Sequence, residues 1–378
     1  MNEKLIHALF YTPGINGRWG LPALFWGKPG VGKTTLINRF ARANSVLSWT
    51  ILGSLREPQD FVGLPIPMDG RTSYAAPAWA ADAADAKRAL IFLDEVNTAA
   101  PSVQAALLRP VNEGVVGDIV LPPGVRFMLA ANPVEDSAGG WDLAPPLANR
   151  MLHFTWDKPD ADNWADWLLG CQNDDVTPID PAKEEERVMH EWPDAFAKAC
   201  ALVGGFIRAK AELLYKQPNQ GSPDLSRAWP SPRSWELATR ALAGAYVHNL
   251  DEVLTDTLIE AAVGRGATVE FARYRSAIDL PAPRDVLEGR VKFKHTAARL
   301  DLTHAVLASC AALTASTKKP EYAKALWKIL TETSVAGIDL VVPATKVLAK
   351  AGLYNFTEAT ALLVKMQPVL RAAGYTLA

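Results

Sequence analysis

Residues 26–40 read WGKPGVGKTTLINRF, and this stretch decides the fold. Gly27 is followed after four residues by Gly32-Lys33-Thr34, directly behind the apolar run Ala23-Leu24-Phe25-Trp26. Leu36, Ile37 and Phe40 then recur at helical spacing. A strand, a glycine-rich loop and an amphipathic helix in that order have a chemical reason. Glycines let the backbone wrap a polyphosphate with successive N–H groups turned inward. The helix that starts there adds the positive end of its dipole. Lys33 brings a full positive charge for the outer phosphates, and Thr34 offers a hydroxyl to Mg2+. A glycine turn with an exposed lysine is the plain alternative, and the strand–loop–helix context argues against it.

The rest of the first 155 residues keeps the same rhythm. Strands are predicted at Leu24–Gly27, Val46–Leu52, Ala89–Leu93, Val125–Ala131 and Met151–Trp156. Helices are predicted at Thr34–Ala43, around Asp82–Lys87 and at Ser102–Asn112. Alternation of this kind implies a parallel sheet covered by helices on both faces. Pro58, Pro65, Pro67, Pro77, Pro122, Pro123 and Pro133 read as punctuation of loops rather than strands. From Trp156 onward the strand signal fades. A helix around Trp164, Trp167 and Leu168 leads to a polar stretch from Cys171 to Arg187, read as a solvated loop entering a helix at Glu184. Ala195–Leu214, Trp235–Ala245 and Val253–Ala277 read as helices, and more follow from about Ala297 to the end.

Four further residues or pairs fit a nucleotide site. ALIFLDEVN (Ala89–Asn97) is a buried strand ending in Asp94 and Glu95, placed to hold Mg2+ and to polarise an attacking water. Acids that merely cap the next helix are the bland reading. Asn132 ends FMLAANP, where an amide can orient water, although Asn-Pro also starts turns. Arg150 closes LAPPLANRMLHF at a helix-to-strand corner; it suits either a helix dipole or a neighbour's phosphates. In SPRSWELATRAL, Ser231 caps a helix and Pro232 takes its first position. Arg233 therefore sits in the first turn, where a positive charge opposes the dipole unless an anion lies nearby. Solvation of an exposed arginine is the competing explanation.

Bulk properties set the outer bounds. At 378 residues the chain is long for one core, and 49% apolar with 21% charged residues describe an ordinary globular protein. A net charge of −2 disfavours a broad electrostatic grip on nucleic acid. Cys171, Cys200 and Cys310 are scattered, which suggests reduced thiols and no zinc site. His7, His153, His190, His248, His295 and His304 form no pair at metal-ligand spacing. No apolar run is long enough for a membrane span, and the first residues carry no signal-peptide pattern, so a cytoplasmic protein is expected.

Taken in order, GKPGVGKT, IFLDE, AANP with a following NRM, and SPRSW resemble the AAA+ ATPases, and within them the MoxR-type branch. Two inserts support the narrower resemblance. Arg56–Trp79 is similar to a helix-2 insert with a hairpin turning at Asp69-Gly70. Glu113–Phe127 is similar to a pre-sensor hairpin turning at Gly117-Asp118. The resemblance implies an α/β P-loop NTPase core over 1–156, an all-helical lid over 157–280 and a helical C-terminal region over 281–378. It also implies ATP and Mg2+ as cofactors. Gly27, Pro29, Gly30, Val31, Gly32, Lys33, Thr34 and Thr35 would hold the nucleotide, with Thr34 and Asp94 on the metal. Asp94 and Glu95 would be the Walker B pair, Asn132 sensor 1, Arg150 an arginine finger and Arg233 sensor 2. Met151 stands where the family often has Phe, a conservative departure.

By the same resemblance the chain is expected to form a ring, usually hexameric, and to hydrolyse ATP while remodelling or activating a partner protein. Glu260–Pro281 resembles the lid end of MoxR-like ATPases that accompany proteins with a von Willebrand factor A-type domain, some of them metallopeptidase-like. A DNA-associated ring ATPase or clamp-loader-like switch is the alternative; its basic cluster at Arg290, Lys292 and Lys294 is mixed with acids. A nucleotide-gated scaffold without hydrolysis is a third reading, opposed by Glu95 and Asn132. Trp156, Trp164, Trp167, Trp192, Trp229 and Trp235 read by default as aromatic core, with a subunit or partner surface as the sharper option.

Overall fold

A computed structural model describes residues 3–133, 140–170, 179–296 and 298–372. Five parallel strands form the central sheet: β1 (Ala23–Trp26), β2 (Leu47–Leu52), β5 (Arg88–Asp94), β8 (Gly124–Ala131) and β9 (Leu152–Thr155), in the order β2-β5-β8-β1-β9. These are the five segments that the apolar runs predict, with ends shifted by a residue or so. Two antiparallel hairpins interrupt the series. β3 (Leu64–Met68) pairs with β4 (Arg71–Ala75), and β6 (Val115–Val116) pairs with β7 (Ile119–Val120). They turn at Asp69-Gly70 and Gly117-Asp118, where positive φ at Asp69, Gly70 and Gly117 matches a tight hairpin.

β8 is buried at every position, and β5 along all but its two ends, as central parallel strands covered on both faces must be. On one face Leu24, Trp26, Ile91, Leu93 and Leu129 pack with Trp79, Ala80 and Ala83 of the Ala78–Ala86 helix. Phe25 alternates to the other face, where its ring stacks on Phe154 at 5.7 Å. The Glu3–Tyr11 helix, which sequence patterning did not suggest, buries Phe10 against Phe40 of the Lys33–Ala43 helix at 5.2 Å.

A charged cluster fastens that first helix. Arg126 of β8 has a side chain only 1% exposed; it donates to Phe10 O, Gly124 O and Glu185 Oε1. Arg88 donates to the same Glu185 carboxylate at 2.8 Å. Burial works to raise the Glu185 pKa, but hydrogen bonds from Arg88 and Arg126 outweigh it and hold the carboxyl below its ordinary value. Nearby, ligand atoms of His7, Glu184 and His248 lie within 4.8 Å of one another, a proximity no sequence spacing revealed. Arg187 donates to Glu184 Oε1 at 2.7 Å.

The chain divides into two compact units: Met1–Val188 with Leu213–Thr268, and Met189–Glu212 with Val269–Ala378. The first unit holds the sheet together with the Pro232–Val247 and Glu252–Val263 helices. Ser231 and Ser234 form a reciprocal capping box at the start of the former, as the cap reading anticipated. The second unit is helical, with Leu300–Thr317, Pro320–Thr333, Ile338–Lys350 and Thr357–Ala372 packed around the fully buried Trp327. Its indole N–H donates to Leu353 O at 2.8 Å.

Three expectations need correction. Pro65 and Pro67 lie inside β3 rather than in a loop. A two-stranded ribbon tolerates them because alternate positions turn their nitrogens away from β4, where no donor is needed. The expected single helix over Ser102–Asn112 is two, Pro101–Ala106 and Leu108–Glu113. The Val253–Ala277 helix is likewise broken at Gly264, whose φ of 77° no helix accommodates. Cys171 and the polar stretch up to Pro178 lie outside the described residues.

Candidate functional site

All five sheet strands run the same way, so the residues just beyond β1, β5 and β8 gather along one edge of the sheet. Gly27 leaves β1 tightly against the chain after β9; a Cβ there would meet Trp156 O at 2.7 Å. Gly32 caps the Lys33–Ala43 helix with φ 88°, a conformation glycine alone takes without strain. A Cβ at Gly30 or Gly32 would meet no neighbouring atom, so the loop opens onto free space as a phosphate cradle requires. Pro29, Gly30 and Gly32 are exposed.

Lys33 is buried, and its ammonium donates to Gly27 O at 2.5 Å, Lys28 O at 3.1 Å and Asn132 Oδ1 at 2.9 Å. Burial lowers its pKa, and the carboxylates of Asp94 and Glu95 pull it part of the way back. Thr34 donates its hydroxyl to Asp94 Oδ2 at 2.6 Å, while Asp94 Oδ1 accepts the Glu95 N–H at 2.9 Å. Lys33, Thr34, Asp94, Glu95 and Asn132 are thus brought together, although 99 residues separate the first from the last. A hydroxyl hydrogen-bonded to a carboxylate is the hard-oxygen donor pair that suits Mg2+ beside a phosphate.

Sequence reading missed two supporting residues here. Asn97 is fully buried; its amide donates to Asn132 O at 2.8 Å and its carbonyl accepts Asn132 N–H at 3.1 Å. This pairing clamps the end of β8 beside the loop, and only the fold reveals it. Ser54, just past β2, donates to Glu95 Oε2 at 3.3 Å. Glu95 itself holds φ 53°, the left-handed region that a glutamate rarely adopts.

Arg150 and Arg233 stand elsewhere. Arg150 precedes β9, whose first residue Leu152 pairs with Ala23 and donates its N–H to Pro22 O at 2.9 Å. That is the opposite end of β1 from the glycine loop. The four residues of β1 at about 3.3 Å each put roughly 13 Å between the two edges. Arg233 shares Arg150's surroundings: both line a cavity of about 510 Å³ with Arg18, Pro22, Glu113 and Glu236. Burial, then the Arg233 charge, lowers the Arg150 pKa, with Glu113 acting the other way. Two like charges so placed favour an anion between them.

Residues 22–151 match the family model described as an AAA domain of the dynein-related subfamily. That stretch is similar to an AAA domain over about a third of the chain. Its limits run from the residue before β1 to the residue before β9, so they take in the glycine loop, the Asp94-Glu95 pair, Asn132 and Arg150. No protein with a curated description matches the chain significantly. Among solved structures 537 chains match. One is the crystal structure of a putative ATPase from Cytophaga hutchinsonii, with 16% identity, a TM-score of 0.44, and coverage of 69% of this chain and 79% of that one. The parallel sheet with its glycine loop has an α/β P-loop NTPase fold. No helix among the described residues is long and apolar enough to cross a membrane.

Proposed function

We propose that this chain is a ring-forming AAA+ ATPase of MoxR type, which hydrolyses ATP with Mg2+ in the cytoplasm to remodel or activate a partner protein. The observation that carries the reading is the separation of Arg150 and Arg233 from the glycine loop by the length of β1. Two arginines at the wrong edge for their own loop suit a nucleotide held by a second copy of the chain. Stacked head to tail, such copies close into a ring when the rotation allows it.

In this reading the Gly27–Thr35 loop holds the phosphates, and Thr34 and Asp94 would hold Mg2+, which neutralises phosphate charge when bound. Glu95 orients water, Asn132 supports it through its amide, and Arg150 with Arg233 stabilises charge on the neighbour's phosphates. Exposed apolar side chains on the first hairpin, at Leu64, Ile66, Met68 and Tyr74, suit contact with a client protein. A von Willebrand factor A-type or metallopeptidase-like protein is the partner we would try first. The DNA-associated alternative draws no electrostatic support from a net charge of −2.

The test is ATP turnover per subunit against protein concentration, with and without that partner. Turnover that rises as copies associate, and disappears in Arg150→Ala with nucleotide affinity kept, supports the ring. Turnover that is independent of concentration and indifferent to Arg150 would leave only a P-loop nucleotide-binding protein.

A further inference from the structure

The tryptophans do not behave alike. Trp156, Trp192, Trp229 and Trp235 are buried, as core residues should be. Trp164 and Trp167, three residues apart on the Ala161–Leu168 helix, are 51% and 48% exposed. Helical spacing puts both rings on the same side of that helix. A default aromatic-core explanation therefore fails for these two and leaves their position to be explained.

Both rings line a cavity of about 650 Å³, within the range of small-molecule sites. The same cavity is lined by Gly30, Gly32 and Thr35 of the glycine loop and the first turn behind it, with Glu3, Arg39 and Asp157 as charged neighbours. Nothing in the phosphate chemistry of that loop calls for aromatic rings. A ligand that begins as a polyphosphate in the loop and continues into this cavity must present a flat, apolar, π-bearing portion to the indoles. A nucleobase has that chemistry, and base–aromatic stacking is tolerant of detail because every base offers a π-face.

We propose that Trp164 and Trp167 form the stacking wall for the purine base of the nucleotide whose phosphates the Gly27–Thr34 loop holds. The proposal rests on the nucleotide-binding reading above and adds the residues that grip the base. Stacking area favours purines over pyrimidines here, since a larger ring system covers more of two indoles.

Isothermal titration calorimetry on the full chain tests it, with ADP, CDP and inorganic tripolyphosphate as ligands. The pair Trp164→Ala with Trp167→Ala should weaken ADP about tenfold or more. Tripolyphosphate, which has no base, should bind that variant as it binds the unmodified chain. Trp164→Phe with Trp167→Phe keeps a π-face at both positions and should recover the ADP affinity, and CDP should bind the unmodified chain more weakly than ADP. Unchanged ADP affinity in the alanine pair overturns the stacking wall while leaving phosphate binding intact; an altered sedimentation coefficient in that case marks the face as a subunit contact. Equal loss of ADP and tripolyphosphate also overturns it, since the rings would then be shaping the loop. If the unmodified chain binds neither ADP nor tripolyphosphate, the nucleotide reading itself falls.

Discussion

Lys33 donates a 2.9 Å hydrogen bond to Asn132 Oδ1, which joins the ammonium of the glycine loop directly to the end of β8. An ammonium has three donors, and Lys33 uses them on Gly27 O, Lys28 O and Asn132. A phosphate oxygen that takes one of these donors must displace an acceptor, and Asn132 is the side-chain acceptor among the three. In the proposed reading, nucleotide arrival would release the Asn132 amide toward the reacting water. Lys33→Ala should abolish measurable nucleotide binding. Asn132→Ala should keep affinity or tighten it, because a competitor for Lys33 is gone, while turnover falls about 100-fold. Equal losses of affinity in the two variants would show that the amide serves binding alone.

The two edges of the sheet make a sharper prediction for Arg150. Removing it should lower turnover by about 1,000-fold or more, the range for arginines that stabilise transferring phosphate. Glu95→Gln should be inactive for a separate reason, loss of the group that orients water. An equimolar mixture of the two inactive variants should regain activity. Some sites in the mixture then combine an intact Glu95 with an intact Arg150 from the adjacent copy. A mixture as inactive as its components argues that Arg150 serves its own subunit.

Much of the sheet and its loop edge is legible in the sequence. A period-2 or continuous apolar run before each chemical residue marks β1, β5 and β8, and parallel strands oblige their C-terminal ends to meet. That rule brings Lys33, Asp94 and Asn132 to one edge of the sheet. Asn97 was not legible, because its value lies in pairing with the backbone of Asn132, and a buried amide has no sequence signature. Arg126 reads as an interruption of an apolar strand, and only the position of Glu185 explains it. The exposure of Trp164 and Trp167 was equally hidden, since an aromatic residue on a helix reads the same facing a core or a ligand.

That Arg126–Glu185 contact carries a stability prediction. Glu185 is the carboxylate that neutralises a guanidinium 1% exposed, so Glu185→Ala leaves a buried charge unpaired. The expected loss is about 3–5 kcal/mol. Glu185→Gln, which keeps an acceptor, should lose less. Urea unfolding of the isolated chain measures both. A loss below about 1 kcal/mol, the level of a surface ion pair, would mean that Arg126 finds another acceptor on its own.

The hairpins are joined as well. Asp118, in the turn of the second hairpin, accepts the Tyr74 N–H at 2.7 Å and the Ser73 hydroxyl, while its own N–H donates to Tyr74 O at 3.1 Å. Hydrogen bonds from Ser73 and Tyr74 hold its carboxyl below the ordinary range. In the proposed reading, motion of one hairpin would be transmitted to the other through these bonds. Asp118→Ala should raise hydrogen exchange at Tyr74 and uncouple partner-stimulated turnover from basal turnover, which stays near its unmodified value. Unchanged exchange at Tyr74 would mean that the β3–β4 ribbon holds itself.

Acid sensitivity should rest on His153 and His248 together, and His153 is the one whose hydrogen bonds allow a clean test. Its Nδ1 accepts the Trp26 indole N–H at 3.0 Å, and its Nε2 bonds Ala148 O at 2.9 Å, so Nε2 carries the proton and the ring is neutral. Burial is the main cause that pushes its pKa from 6.5 down to about 4. His248 moves the same way, to about 3, through burial and the charges of His7 and Arg187. In both cases the unfolded chain takes up a proton first. Stability is thus complete above pH 6.5 and falls as the pH drops from there towards the folded values. Each group contributes a slope of up to about 1.4 kcal/mol per pH unit. His153→Gln offers Trp26 an acceptor and Ala148 a donor without titrating. Melting temperatures from pH 8 to pH 5 should therefore decline less steeply in that variant than in the unmodified chain. Parallel curves would place the acid sensitivity with His248 and the carboxylates instead.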